Sequence, residues 1–413
     1  MGFGLGSLSK RERSWVLYDV GNSAFVLLAS TLIPIYFSAI TDPESSVVVV
    51  WGYATTVASL ILALLMPFLG SLADVKGNKK KFLAGTIGTG AVLLAALGLA
   101  GEPFVFIVMY VLSSVMLNAS LVFYDAFLID ATTNERLDEV SSQGYAWGYI
   151  GSCVPFLISL ALVFFGENIG VAQLDAIRIS FVITAAWWVC FSVPLFRNVH
   201  QTHFKARMPH MFKSTFLGLF QTAKKIFHNK RVFLFLLAFF FYIDGVHTII
   251  TMSTSYGTEL GISSTMLVLA LLVTQFVAFP SAIAYGRLAG RFGTTKMLLI
   301  AVAAYFGITL FAAFFLQSAA EFWVLAVCVG SFQGGIQALS RSEFGKIIPK
   351  QNANEYYGFF DIFGKYATVL GTFLVSVFSQ LTGSSRIGVL SIAILFIAGF
   401  VLLLKYRAAN SAN

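Results

Sequence analysis

The sequence predicts an all-α membrane protein: twelve transmembrane helices in two pseudo-symmetric six-helix bundles. Three observations lead there. Of the 413 residues, 58% are hydrophobic and 11% charged, against roughly 25% charged in an ordinary soluble domain. The apolar residues gather into runs of about the 20 residues that cross a bilayer. A short charged loop occurs twice: GSLADVKGNKKKFL, from Gly70 to Leu83, returns 216 residues later as GRLAGRFGTTKMLL, from Gly286 to Leu299. Such spacing is the mark of an internal duplication.

The spans fall near 15–40, 47–73, 82–100, 104–128, 143–166, 176–197, 232–256, 264–289, 296–316, 320–340, 356–380 and 386–405. Basic residues test this count, because successive loops alternate sides and Lys and Arg favour the cytoplasm. With both termini inside, all 27 Lys and Arg except Arg178, Lys365 and Arg386 lie in cytoplasmic loops or tails or at the cytoplasmic ends of spans. The chain then divides into an N-terminal bundle (1–197), a basic cytoplasmic linker (198–231) and a C-terminal bundle (232–413). Within the linker, Phe212, Phe216, Leu219, Phe220, Ala223 and Phe227 follow helical spacing with lysines elsewhere on the wheel, the pattern of an interfacial helix.

Composition also excludes. The charge of +8 is spread over short loops, which fits membrane orientation rather than nucleic-acid binding. Cys153, Cys190 and Cys328 all fall inside apolar spans and read as buried free thiols. His200, His203 and His210 in the linker include an HxxH spacing, but with no carboxylate or thiol beside them they read as solvated rather than metal-binding. No GxxxxGK[ST], HExxH or GxSxG occurs, so neither ATP nor a cofactor is implied. The N-terminal residues show neither a cleavable signal peptide nor a myristoylation site.

In the repeated loop, Gly77 and Gly293 supply the positive φ of a tight turn. Lys79, Lys80 and Lys81 are expected to sit among headgroups. Asp74 has no mate, because the second copy carries Gly290.

An ionisable side chain at bilayer depth costs a few kcal/mol or more, which makes each one a functional candidate. Asp19 lies in the first span, Asp125 in the fourth, Asp244 and His247 in the seventh, and Asp361 with Lys365 in the eleventh. Asp244, His247, Thr248 and Thr251 form a stripe at i, i+3, i+4 and i+7, with Asp244 about 18 Å from the end of its helix. A carboxylate and an imidazole so placed are candidate proton carriers. Asp361, Lys365, Thr368 and Thr372 repeat the stripe, either as an internal ion pair or as solute contacts. The tenth span offers Gln333, Gln337 and Ser340, and the fourth Ser114, Asn118 and Asp125. Asp19 and Asn22 lie about a turn inside the first span, and the offset of 225 residues from Asp19 to Asp244 departs from that of the repeat.

The doubled loop resembles the signature between helices 2 and 3, and again 8 and 9, of the major facilitator superfamily. WVLYDVGNSAF (Trp15 to Phe25), YIDGVHTI (Tyr242 to Ile249), GGIQALSRSEFGKIIP (Gly334 to Pro349) and GFFDIFGKYATVLGTF (Gly358 to Phe373) are similar to motifs of the vacuolar amino-acid effluxer family. The correspondence falls on Tyr18, Asp19, Asn22, Asp244, Gly245, Gln337, Ser340, Arg341, Asp361 and Lys365. The resemblance implies a twelve-helix facilitator whose helices 1, 4, 7 and 10 line a central cavity, and export of amino acids or similar small solutes. It also implies that Asp74 holds an outward-open state by accepting hydrogen bonds near the cytoplasmic end of helix 11.

The expectation is therefore a monomeric secondary transporter of the plasma membrane. Its solute, a small zwitterion or cation, binds between the halves near helix 7, with coupling to protons. The readings weighed against this one are a facilitator-shaped sensor or a membrane enzyme acting on lipids.

Overall fold

A computed structural model describes residues 4–42, 47–206 and 211–411. His210 lies outside these, as do the side chains of Phe212, Phe216, Leu219 and Thr368. Among the described residues, fifteen α-helices form the whole fold. They are α1 (Lys10–Ala29), α2 (Leu32–Ile40), α3 (Val47–Ala73), α4 (Lys79–Ala96), α5 (Pro103–Ala131), α6 (Leu137–Phe165), α7 (Gln173–Asn198) and α8 (Met211–His228), followed by α9 (Lys230–Glu259), α10 (Ser264–Phe292), α11 (Thr294–Phe314), α12 (Ala319–Ile347), α13 (Ala353–Thr382), α14 (Ser385–Ser391) and α15 (Ala393–Ser411). Twelve stretches are long and apolar enough to span a bilayer.

Local chemistry sets several of the ends. Ser9 and Glu12 close a reciprocal capping box at the start of α1, and Asn229 accepts from the N–H groups of Arg231 and Val232 to open α9. The first span is broken into α1 and α2 where Ser30 and Thr31 turn their hydroxyls onto the carbonyls of Val26, Leu27 and Leu28. Three of the helices that outrun the apolar runs do so over buried charges: α6 starts at Leu137 rather than 143, α12 runs to Ile347 rather than 340, and α13 starts at Ala353 rather than 356. Hydropathy stops at Asp138, Arg341, Glu343 and Glu355. The helices continue because those charges have partners inside the protein.

By contacts the chain forms two compact units. One holds residues up to Thr132, Trp147–Thr215 and Lys350–Gly358; the other holds Thr133–Ala146, Phe216–Pro349 and Phe359–Asn413. The first turns of α6 and of α13 thus belong to a different unit from the rest of their helices. The packing inside each unit reproduces the duplication. In the first, α1 packs on α7, α5 on both α3 and α4, and α4 on α7; in the second, α9 packs on α15, α12 on both α10 and α11, and α11 on α15. One hydrogen bond is repeated too. Tyr18 donates to Ser120 at 2.6 Å between α1 and α5, and Tyr242 meets Ser340 at 2.7 Å between α9 and α12.

Burial departs from expectation in two places. Cys153 is buried, but Cys190 is exposed and Cys328 half-buried, because α7 and α12 each leave one apolar flank unpacked by protein. The ninth span, α11, apolar through its interior, is nonetheless among the best-packed of the twelve, and α13 is the least.

Candidate functional site

The first copy of the charged loop sits at the end of α3. Gly77 has φ of 80° and its counterpart Gly293 91°, as the tight turn requires. Asp74, 1% exposed, presents both carboxylate oxygens to the start of α13. Oδ1 accepts from the backbone N–H of Asn354 at 2.9 Å and its side-chain amide at 2.7 Å, and Oδ2 accepts from the N–H of Glu355 at 3.1 Å. These N–H groups belong to the first turn of the helix, where no intrahelical acceptor exists and a carboxylate is favoured. Gly70 makes the approach possible, since a Cβ there would stand 2.5 Å from the carbonyl oxygen of Asn354. Burial pushes the Asp74 carboxyl up to about 6, against the opposing pull of Lys205, Lys79 and Asn354.

The lysines do not behave alike. Lys79 is 1% exposed and donates to Asp130 Oδ2 at 2.7 Å and to the Ala126 carbonyl at 3.3 Å, with its ammonium 4.8 Å from the centre of the Phe127 ring. The expectation that it sits among headgroups is corrected by this pairing. Lys80 is half-buried and donates to the Phe196 carbonyl at 2.7 Å. Only Lys81 of the three is exposed.

Asp130 also corrects the reading of the histidines. Its Oδ1 accepts from the backbone N–H of Thr202 and of His203, each at 2.9 Å, and from the Thr202 hydroxyl at 2.7 Å; His203 Nδ1 stands 3.0 Å away. His203 therefore does have a carboxylate partner, while His200 is exposed. Among the described residues no cluster has the makings of a metal site.

In the second unit, where Gly290 replaces the loop acid, a carboxylate comes from the first turn of α6. Asp138 accepts from Thr294 at 2.7 Å, Lys346 at 2.6 Å and Ser342 at 2.6 Å. Arg341, 2% exposed, donates from Nε to the hydroxyl of Ser141 at 2.9 Å and from its terminal nitrogen to the Ser141 carbonyl at 3.0 Å, and it lies over the Tyr145 ring.

The intramembrane candidates separate into buried and accessible sets. On α9, Asp244 is 0% exposed; Oδ1 accepts from the N–H of Gly371 on α13 at 2.9 Å and from Thr248 at 3.3 Å, and Oδ2 has no hydrogen-bond partner. His247 is half-buried and looks towards Gly364 and Lys365 on α13, and Thr251 is exposed. The single stripe is thus two faces of one helix. Asp361 and Lys365 pair at 3.6 Å, each about a quarter exposed or less. Gln333 and Gln337 on α12 and Asn118 on α5 are half-buried, Asn118 donating to the Ser114 carbonyl. Asp19, 5% exposed, and Asn22, 3% exposed, are buried. Asp19 accepts from Tyr124 at 2.7 Å and from Asn22 at 3.2 Å, beside a stack of Trp15 on Tyr124.

The sequence profile of the vacuole effluxer Atg22-like family matches residues 44–130 and 129–413. The MFS-type transporter YxiO of Bacillus subtilis is 44% identical over 406 residues, covering 96% of this chain and 94% of its own. Autophagy-related protein 22 of Saccharomyces cerevisiae is 26% identical over 282 residues, 60% of this chain and 53% of its own, so the match spans about half of that longer protein. The backbone is similar to the major facilitator superfamily transporter FucP in its outward conformation, with TM-score 0.73, 13% identity and coverage of 95% and 97%. A bacterial homologue of ferroportin in its outward-facing state gives 0.71 at 14% identity, covering 97% and 98%. At such identities the likeness concerns the fold.

Proposed function

The chain belongs to the vacuole effluxer Atg22-like family of major facilitator superfamily transporters, and from that premise we propose that it moves an amino acid or a closely related zwitterion across a bacterial plasma membrane. The positive-inside pattern puts both termini and the Asn198 to Arg231 connection in the cytoplasm.

One observation carries the choice of solute: Asp361 and Lys365, a carboxylate and an ammonium 3.6 Å apart and both partly exposed. A zwitterion brings one charge of each sign, so it can exchange this internal pair for two charge-assisted bonds of its own. His247, Gln333 and Gln337, half-buried on the neighbouring α9 and α12, supply neutral polar contacts, and Thr251 extends the set. A multiply anionic solute has too few bases to meet.

Asp244 has a separate task in this reading. One of its oxygens is occupied by Gly371 and Thr248 and the other is buried without a partner, which suits a group that takes up a proton rather than a bulky solute. His247, one turn on, passes protons between Asp244 and the solute face. The charged loop acts as a latch: Asp74 holds the start of α13 in one state of the cycle and releases it in the other.

The test is counterflow in liposomes with labelled amino acids, amines and organic anions as competitors, at several pH values. Amino acids should compete best, and Asp244→Asn should keep counterflow while losing its response to pH. Better competition by organic anions would overturn the solute assignment, and an unaltered pH response in Asp244→Asn would overturn the proton assignment.

A further inference from the structure

We infer that Gln201–Lys205, the stretch between α7 and α8, is a third member of the latch, a strap that places Lys205 between the carboxylates of Asp74 and Glu355. This rests on reading the Asp74 loop as a latch and adds the part that makes its charges compatible.

Two carboxylates converge where the loop meets α13. Asp74 and Glu355 are each 1% exposed, and the backbone N–H of Glu355 binds Asp74 Oδ2. Two buried carboxylates on either side of one ammonium repel one another unless a cation stands between them. Lys205 answers both, with Nζ 2.5 Å from Glu355 Oε2 and 3.7 Å from Asp74 Oδ2. Lys79 is the other ammonium nearby, and it is committed to Asp130 at 2.7 Å. Lys205 is thus the cation that can serve the loop and the helix together.

A lysine on an irregular connection would ordinarily lose much rotamer and backbone freedom to hold such a position. Here the connection is fixed at three levels. Its backbone forms a parallel bridge with the loop, in which the Lys205 N–H donates to the Asp74 carbonyl at 2.8 Å and the Lys76 N–H to the Lys205 carbonyl at 3.4 Å. The side chain of Gln201 donates to the carbonyls of Ala73 and Asp74 and accepts from the N–H of Gly77 at 2.9 Å. The hydroxyl and backbone of Thr202, with His203, fasten onto Asp130. Among the described residues, the contacts that orient the strap are to the loop and to α5, and Lys205 reaches from it to the start of α13. When α13 leaves Asp74, Lys205 is therefore the strap residue that loses one of its two carboxylate partners, Glu355, and keeps the other.

Lys205 is accordingly a positioning residue for the transport cycle, and Thr202, His203 and Gln201 position Lys205. The readout is the alkylation rate of Ser71→Cys, a position 8% exposed beside the loop, in a variant otherwise free of cysteine and reconstituted in liposomes. Lys205→Met should raise the rate about tenfold, Lys205→Arg should restore it, and Thr202→Val should give a smaller rise in the same direction. Adding Glu355→Gln to Lys205→Met should bring the rate back towards the starting value, because one unpaired carboxylate is then removed. The rise should be larger at pH 8 than at pH 5.5, where Asp74, raised to about 6 by burial, can be neutralised by a proton instead. A purely structural lysine would show neither the rescue nor this pH dependence. If Asp74→Asn leaves alkylation unchanged, the latch reading itself fails. If Asp74→Asn speeds alkylation and Lys205→Met does not, the latch stands and the strap is overturned.

Discussion

Asp74 and Asn354, 280 residues apart, meet twice on a single oxygen: Oδ1 of the acid accepts both the backbone N–H and the side-chain amide of the asparagine. With Glu355 on Oδ2, the carboxylate uses both oxygens as acceptors. Asp74→Asn turns one of them into an NH2 group facing an N–H donor. The latched state should weaken by about 2 kcal/mol, the cost of a buried donor left unmatched. Asn354→Ala, which keeps both backbone bonds, should cost about half as much. Alkylation of Ser71→Cys ranks the two, and equal rates in both variants and the parent would refute the ranking.

Acid should favour the latch. Burial raises the Asp74 carboxyl to about 6 when latched, whereas a released, solvated aspartate titrates near 3.9. The proton is held more tightly in the latched form. The gain from protonation is therefore fully present below about pH 4 and is lost as pH rises through about 6. A protonated carboxyl, unlike an amide, still offers two acceptor oxygens, which is why acid and Asp74→Asn act in opposite directions. The pH dependence of Ser71→Cys alkylation, corrected with Asp74→Asn for the thiol's own titration, should show a step near pH 6. Lys205→Met should move that step to higher pH, since Lys205 opposes the upward shift.

The basic run Lys79–Lys81 should divide sharply on substitution. Lys79→Met leaves Asp130 buried without its ammonium, at a cost of about 3–5 kcal/mol. Lys81→Ala, at an exposed position, should stay within about 0.5 kcal/mol. Thermal unfolding of the purified protein checks both, and comparable shifts would contradict the difference in burial.

Sidedness follows from the basic loops. Single cysteines at Lys81 and at Glu167, both exposed and at opposite ends of the first unit's spans, should differ in sealed cells. An impermeant reagent should label Glu167→Cys and reach Lys81→Cys after permeabilisation. Equal labelling of intact cells would refute the orientation.

Gly371 should tolerate no side chain. A Cβ there would stand 2.1 Å from Thr248 Oγ1 and 2.7 Å from Asp244 Oδ1. Gly371→Ala should cost about 1–3 kcal/mol by overpacking and impair counterflow through Asp244. Combining it with Thr248→Ala should recover part of both losses, and unimpaired counterflow in Gly371→Ala would separate Gly371 from transport.

The spans were legible because roughly 20 apolar residues admit little else in a bilayer, and the doubled loop gave the internal repeat. Asp361 and Lys365 were legible as a pair from their i, i+4 spacing. Asp130, Asp138 and Glu355 were not, because each lies where hydropathy ends and a charge at a span boundary reads as solvated. Their partners lie far along the chain: Thr202 for Asp130, Lys346 for Asp138 and Lys205 for Glu355. No local period reports such distances. The stripe of Asp244, His247, Thr248 and Thr251 divides into buried and exposed positions, since 3.6-residue periodicity groups positions within about one face but does not say which edge a neighbouring helix will cover.

The pairing of Lys79 with Asp130 separates two moments in the life of the chain. Orientation is chosen while spans are entering the bilayer, when basic residues are counted and acidic ones weigh little. At that point Asp130 follows Lys79 by 51 residues in the chain, so the lysine enters still unpaired and counts in full towards keeping its loop on the entry side. Only when α4 and α5 pack does the same ammonium leave water for a buried carboxylate. On the proposed orientation, Lys79 acts first as an address and afterwards as a strut, and the burial that removes it from the surface comes too late to alter the topology.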